Sequence, residues 1–241
     1  MCEGLLISPM FNQTTDRFRT FGRAKGKPLS SAQAGLMRDL FPHFDVASNI
    51  SEGQNPFTKN MDADKPAAKW LEIGFGGAEH LLWQAENNPD VTILGVEPFL
   101  NGVAKAVKGI SDKELQNVLL HRGDARDVLA LLPDKSLERV FVLFPDPWPK
   151  VRHHKRRIIN EPFIIDLHRV IKPGGKFRFA SDIIHYVDWT LMRMKAHGGF
   201  DWPAQQQSDW RVRPDDWPST RYLEKALREG RSGHFFEFVR Q

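Results

Sequence analysis

Apolar positions fall into two patterns, short continuous runs and stretches with helical spacing, and from residue 67 onward the two alternate. Residues 70–73 predict a first strand running into Gly74-Phe75-Gly76-Gly77, and residues 79–87 a helix after it. The same alternation predicts strands over 91–96, 118–120, 140–144 and 176–180, and helices over 100–107, 126–132, 161–171 and 183–196. Residues 235–239 predict a terminal strand. Strands separated by helices mark parallel βαβ units. The near-continuous apolar run 140–144 fits a strand covered on both faces. The expected class is therefore α/β, a mostly parallel sheet with helices on both faces and a C-terminal antiparallel strand. Trp189 and Met192, at helical spacing, are expected in the core.

Ahead of this region the pattern is weaker. Residues 1–30 contain Gly22, Gly26 and Pro28 without sustained periodicity and read as a flexible basic extension. Ser31 is placed to cap a short helix to about Phe41, with Leu36, Met37 and Leu40 on its apolar side. Residues 42–66 are polar and turn-rich and read as a linker. The expected division is thus 1–30, then a helix and linker over 31–66, then one domain over 67–241.

Composition narrows the class. With 241 residues, 41% apolar and 27% charged, the chain has the mixture of an ordinary globular protein. No apolar run approaches the roughly 20 residues that span a bilayer, so no membrane association is expected. The start has no basic segment ahead of an apolar one, so no secretory signal is expected and a cytoplasmic location fits. The single cysteine, Cys2, excludes an internal disulfide and a cysteine-based zinc cluster, and nothing suggests a metal. Net charge is only +4, but its distribution is uneven. Arg17, Arg19, Arg23, Lys25 and Lys27 form one acid-free cluster, and Lys150, Arg152, Lys155, Arg156 and Arg157 another. Two such clusters point to a polyanionic partner, nucleic acid first, although any one of them alone fits a solvated face.

In an open parallel sheet, ligands bind beyond the carboxyl ends of the strands. Acids stand at those places: Glu72, Glu97, Asp124 and Asp146. The glycine loop with Gly74 and Gly76 admits a ligand close to the backbone. No phosphate-binding P-loop sequence occurs, and the dinucleotide fingerprint fails at Glu79, where it needs a small residue. S-adenosylmethionine carries no phosphate, but it has an ammonium, a sulfonium and a ribose diol, all of which suit carboxylates. Glu72 would attract the cationic methionine end, Glu97 the ribose hydroxyls, and Asp124 the adenine amino group, with the Ala125 N–H on the ring. Taken singly, each acid is equally a solvated strand end, and Asp124 a helix cap.

The fourth strand ends in Phe144-Pro145-Asp146-Pro147-Trp148-Pro149-Lys150. Its prolines make a rigid loop, suited to holding a reacting group, and Trp148 offers a face for a base. This string, with the basic residues after it, the glycine loop, Gly95-Val96-Glu97-Pro98, Ser181-Asp182 and Thr220-Arg221-Tyr222, resembles the bacterial tRNA (guanine-N7-)-methyltransferases from about Arg19 to the C-terminus. The resemblance implies a Rossmann-like fold and methyl transfer from S-adenosylmethionine to guanosine N7 at position forty-six of the tRNA variable loop. It places Glu72, Gly74, Gly76, Glu97, Asp124, Ala125 and Asp146 at the cofactor, with Asp146 also the catalytic residue. Lys150, Asp182, Thr220, Arg221, Tyr222 and Glu224 would face the RNA, with Arg156 and Arg157 on phosphates. One departure is visible: the glutamate that usually follows the aromatic residue is displaced by Leu223, with Glu224 one place later.

Guanine N7 has an in-plane lone pair and no proton to lose, so methylation there needs proximity and tolerance of positive charge rather than a general base. His153 and His154 are accordingly read as phosphate or solvent contacts. The competing readings are a methyltransferase of exocyclic base amines, a non-catalytic tRNA-binding protein of the same fold, and a small-molecule methyltransferase. Either a monomer or a homodimer is compatible with the sequence.

Overall fold

The computed structural model describes residues 21, 22, 24, 26–59 and 68–241. Arg17, Arg19, Arg23 and Lys25 of the first basic cluster lie outside the described residues, as does most of the expected N-terminal extension. Among the described residues seven strands form one sheet: β1 (Ala68–Ile73), β2 (Val91–Val96), β3 (Val118–His121), β4 (Leu137–Leu143), β5 (Ile171–Ser181), β6 (Phe200–Asp201) and β7 (His234–Arg240). Their order is β3-β2-β1-β4-β5-β7-β6. The first five pair in parallel, and β7 runs antiparallel to both β5 and β6. The chain winds outward from β1 in one direction through β2 and β3, then in the other through β4 and β5. The reversal at β1/β4 makes a crevice at the carboxyl ends of these strands.

Among the described residues three α-helices precede the sheet, α1 (Ser31–Asp39), α2 (Phe41–Phe44) and α3 (Ala47–Ser51). Then come α4 (Glu79–Asn87), α5 (Leu100–Asp112), α6 (Ala125–Leu129), α7 (Glu161–Val170), α8 (Ile184–His197), α9 (Ser208–Arg211) and α10 (Arg221–Arg228). Alternation along the strands divides the core. Leu71, Ile73, Val140 and Val142 pack with α6, α7 and α8 on one face. Trp70, Ile93 and Phe141 pack with α4 and α5 on the other, where Leu36 and Met37 of α1 join them.

Several boundaries differ from expectation for identifiable reasons. The cap of α1 is Ser30, not Ser31, because Ser30 and Gln33 form a reciprocal capping box. The segment read as a linker is packed over residues 42–59: Val46 and Phe57 are buried, and the Val46 N–H donates to the Leu120 carbonyl at 2.9 Å. That contact covers the open edge of β3. β5 begins at Ile171, since its register with β4 shifts across the Pro173-Gly174-Gly175 bulge. Met192 is 71% exposed and is not core, whereas Trp189 packs against the core and donates to the Ile159 carbonyl at 2.7 Å. The elements β6 and α9 are too short to show a period in sequence, whereas α10 is amphipathic, with Leu223 and Ala226 on its buried side, and lies outside the helices expected from the sequence.

Candidate active site at the strand switch

The glycine loop leaves β1 with Gly74 and Gly76 in the left-handed region, at φ +76° and +56°. Only glycine adopts that conformation without strain. The Gly76 N–H donates to Glu97 Oε2 at 2.8 Å, and the Phe99 N–H to Glu97 Oε1 at 2.9 Å. Glu97, at the end of β2, therefore fixes the loop beside it while each oxygen keeps a free lone pair. Burial raises its carboxyl above the ordinary value, the two N–H groups oppose that shift, and the nearby Asp146 and Glu72 carboxylates add to it. A Cβ on Gly74 would meet nothing within 4 Å, so the loop presents an open bed there.

Glu72 departs from its expected place. It does not stand open toward a ligand; its carboxylate is buried, with Oε2 2.7 Å from His80 Nδ1 on α4. His80 Nε2 lies 3.1 Å from Gln84 Nε2, which donates to the Asp216 carbonyl at 2.6 Å. No periodicity signals His80 or Gln84, because they matter only through the strand beneath them. Asp124 caps α6, accepting from the Arg126 N–H at 3.0 Å and pairing with its guanidinium, and Ala125 is buried next to it.

Beyond β4, the proline loop is fixed at three points. The Phe144 N–H donates to the Ala180 carbonyl at 2.7 Å, the His153 N–H to the Lys150 carbonyl at 2.7 Å, and Arg157 Nε to the Pro147 carbonyl at 2.8 Å. Phe144 and Trp148 are held at φ +51° and +42°. Such conformations cost bulky residues on the order of 1–3 kcal/mol each and persist only where the surroundings impose them. Asp146 lies between them, its carboxyl reachable by solvent but raised above the usual value by partial burial.

The basic run after this loop divides. Lys150, Arg152 and Lys155 are exposed. Arg156 sits 4.8 Å from the Trp148 ring centre and 4.9 Å from that of Phe21, so the Trp148 face expected to take a base carries a guanidinium. Arg157, expected on a phosphate, is 1% exposed and cannot reach one. Asp182, after β5, is held by Arg231 Nε at 2.7 Å in a cleft that His185, Arg211 and His234 also line.

The segment expected to face RNA lies instead directly on the glycine loop. Thr220 is the buried cap of α10, accepting from the Leu223 N–H at 3.3 Å. Arg221 pairs with Glu79 at the start of α4. A Cβ on Gly76 would come 2.9 Å from Tyr222 Cε2. Tyr222 thus rests on the loop that Glu97 fixes through the Gly76 N–H; burial raises its hydroxyl, and the Glu97 and Asp146 carboxylates raise it further. Leu223 is buried with Ala180, Trp217 and Phe235, so the position left by the displaced glutamate points into the core. Glu224 is exposed.

Residues 66–235 match the family described as "Putative methyltransferase". The tRNA (guanine-N(7)-)-methyltransferase of Agrobacterium fabrum is 44% identical over 230 residues, 95% of this chain and 97% of that one. That of Roseobacter denitrificans is 45% identical, over 96% of this chain and 100% of its own. The chain belongs to the tRNA (guanine-N7-)-methyltransferase family. As in the rest of this family, it is an enzyme that uses S-adenosylmethionine. Among solved structures, the 16S rRNA methyltransferase KamB overlays with a TM-score of 0.52 at 17% identity, over 73% of this chain and 90% of that one. The [4+2]-cyclase SpnF overlays at 0.50 and 14% identity, over 80% and 78%. These overlays show the fold alone, since one fold hosts unrelated chemistries. Among the described residues no group of three or more His, Cys, Asp or Glu side chains is arranged to hold a metal ion, and no helix is long and apolar enough to cross a membrane.

Proposed function

We propose that the protein methylates guanosine N7 in the tRNA variable loop, at position forty-six, in the cytoplasm. The observation that carries this reading is the convergence of the glycine bed, Glu97, Tyr222 and the Asp146 loop on one crevice, beside exposed Lys150, Arg152 and Lys155. The donor set fits S-adenosylmethionine. Gly74 leaves room at the backbone while Tyr222 covers Gly76, Glu97 has free lone pairs for two hydroxyls, and Asp124, engaged by Arg126, would meet the adenine amino group beside the Ala125 N–H. Glu72 ties the end of β1 to α4 through His80, on either side of the glycine loop, rather than meeting the ligand itself.

When bound, S-adenosylmethionine supplies the methyl group. The chain's own residues then have a limited task. N7 attacks with an in-plane lone pair, so no side chain has to remove a proton. The base passes from neutral to cationic, and a carboxylate held next to it gains attraction during the transfer. Asp146 is the group placed for that, and the rigid proline loop keeps it from relaxing toward water. Lys150 and its exposed neighbours hold phosphates, and Asp182, steadied by Arg231, borders the same approach.

Asp146→Asn keeps the shape and removes the charge. At saturating tRNA and S-adenosylmethionine, its single-turnover rate should fall roughly 100- to 1,000-fold, with tRNA affinity changed far less. Nucleoside mass spectrometry of the wild-type product should give 7-methylguanosine at one position. A near-normal rate for the variant would remove Asp146 from catalysis, and a methylated exocyclic amine would move the enzyme to another substrate class.

A further inference from the structure

Adjacent arginines in the basic run are held in different places. Arg156 is half-buried over the Trp148 and Phe21 rings, while Arg157 is 1% exposed beneath the proline loop. Every feature around Arg157 serves to hold one guanidinium still. Its Nε donates to the Pro147 carbonyl at 2.8 Å, and its Nη2 lies 2.9 Å from His185 Nδ1. Its plane is bracketed by Tyr186, 5.0 Å from the ring centre, and Trp189, at 4.6 Å. Trp189 is itself tied to the Ile159 carbonyl at 2.7 Å, and the Tyr186 hydroxyl accepts from the Ile159 N–H at 3.4 Å. The bracket therefore belongs to α8 and the segment leading into α7, which are parts of the rigid core.

The loop that Arg157 grips needs such a hold. Backbone bonds fix its two ends, at Phe144 and Lys150, but neither reaches its middle. The middle carries Asp146 and Pro147, between two bulky residues in the left-handed region. Among the described residues, the bond from Arg157 is the side-chain hydrogen bond into that middle, on the carbonyl of Pro147, the residue that follows Asp146.

We propose that Arg157 is a positioning residue for the methyl transfer: it sets the Asp146 carboxylate by clamping the Pro147 carbonyl, and it takes no part in RNA binding. The proposal rests on the reading of Asp146 given above. Lysine cannot substitute, because a single ammonium has no planar fork to reach Pro147 and His185 together or to lie between two rings. Displacement of a reacting group by about 1 Å is enough to cost about 100-fold in rate.

The test is single-turnover methylation of tRNA, both substrates saturating, with active sites counted by S-adenosylmethionine titration so that unfolded protein does not enter the rate. Arg157→Lys should lower the rate by about 10- to 100-fold, with cofactor affinity, tRNA affinity and the salt dependence of tRNA binding unchanged. Arg157→Gln, which keeps a planar donor for the Pro147 carbonyl, should recover part of that loss. If both variants fail to fold, His185→Ala serves, because that ring is exposed and its loss only frees one end of the guanidinium. It should slow the saturated rate several-fold. An unchanged rate per active site in the folded variants, or a loss confined to tRNA affinity, would overturn the proposal. Asp146→Asn run in parallel separates the two readings. If that variant is slow while the Arg157 variants match wild type, the clamp is refuted and Asp146 stands; if Asp146→Asn is itself near normal, the Asp146 reading fails.

Discussion

Glu97→Ala perturbs the site at the point where fold and ligand share one side chain. The substitution removes the acceptor of two backbone N–H groups, those of Gly76 and Phe99. Hydrogen bonds to a charged acceptor contribute about 1.5–3 kcal/mol each. Against that loss stands the burial of the carboxylate, visible in its raised pKa, which the substitution relieves. The net loss of stability should therefore be of order 1–3 kcal/mol, less than the sum of the two bonds. The effect on the cofactor is separate. Losing the charged partner of the ribose hydroxyls should weaken S-adenosylmethionine by about 1.5–3 kcal/mol, roughly 10- to 150-fold in Kd. Calorimetric titration without RNA measures this directly, and thermal melting measures the stability change. The pH dependence is an independent measure of the same carboxyl. Because the folded carboxyl titrates above the ordinary glutamate value of 4.5, its protonated form is the one that favours folding, and that contribution is lost as pH rises through the folded pKa. Wild type should thus gain stability relative to Glu97→Gln as the pH falls toward the ordinary value, while its cofactor affinity declines over the same interval. An unchanged Kd for Glu97→Ala would mean that Glu97 serves the loop only and that the ribose reading is wrong.

Other outcomes follow from particular side chains. Neutralising exposed Lys150 and Lys155 together should reduce the slope of log Kd against log salt for tRNA by about 0.7–0.9 for each phosphate they neutralise, and an unchanged slope would make this run a solvated face. His121 is buried with both ring nitrogens lacking a hydrogen-bond partner among the described residues, and burial holds its pKa below 6.5. The unfolded chain therefore takes up the proton first, so stability should fall as pH drops below 6.5, and His121→Leu should flatten that decline in pH-dependent melts. Leu223→Ala should cost about 2–5 kcal/mol in denaturant unfolding, as a buried leucine does. Leu223→Glu, which puts back the glutamate that the resemblance implies, should destabilise the fold rather than improve tRNA binding; improved binding would show that Leu223 does not point inward.

The sequence by itself determined the parts that local chemistry controls. Short apolar runs alternating with helical spacing marked the parallel sheet and its helices, because a parallel strand covered by helices buries both faces and each covering helix buries one. Glycines at Gly74 and Gly76 and the prolines around Asp146 marked the two loops of the site, since those residue types impose their backbone geometry locally. Tertiary structure decided which way each charge faces. Lys150 and Arg157 belong to one basic run, yet one is exposed and the other lies under the proline loop between Tyr186 and Trp189, which arrive from another helix. Glu72 ends in the interior against His80, and Arg221 and Tyr222 return from the far end of the chain to rest on the glycine loop. The physical reason is the same in each case. A charge run or a strand-end acid has no period that records its partner, and its burial is set by residues distant in sequence that only the folded sheet brings beside it.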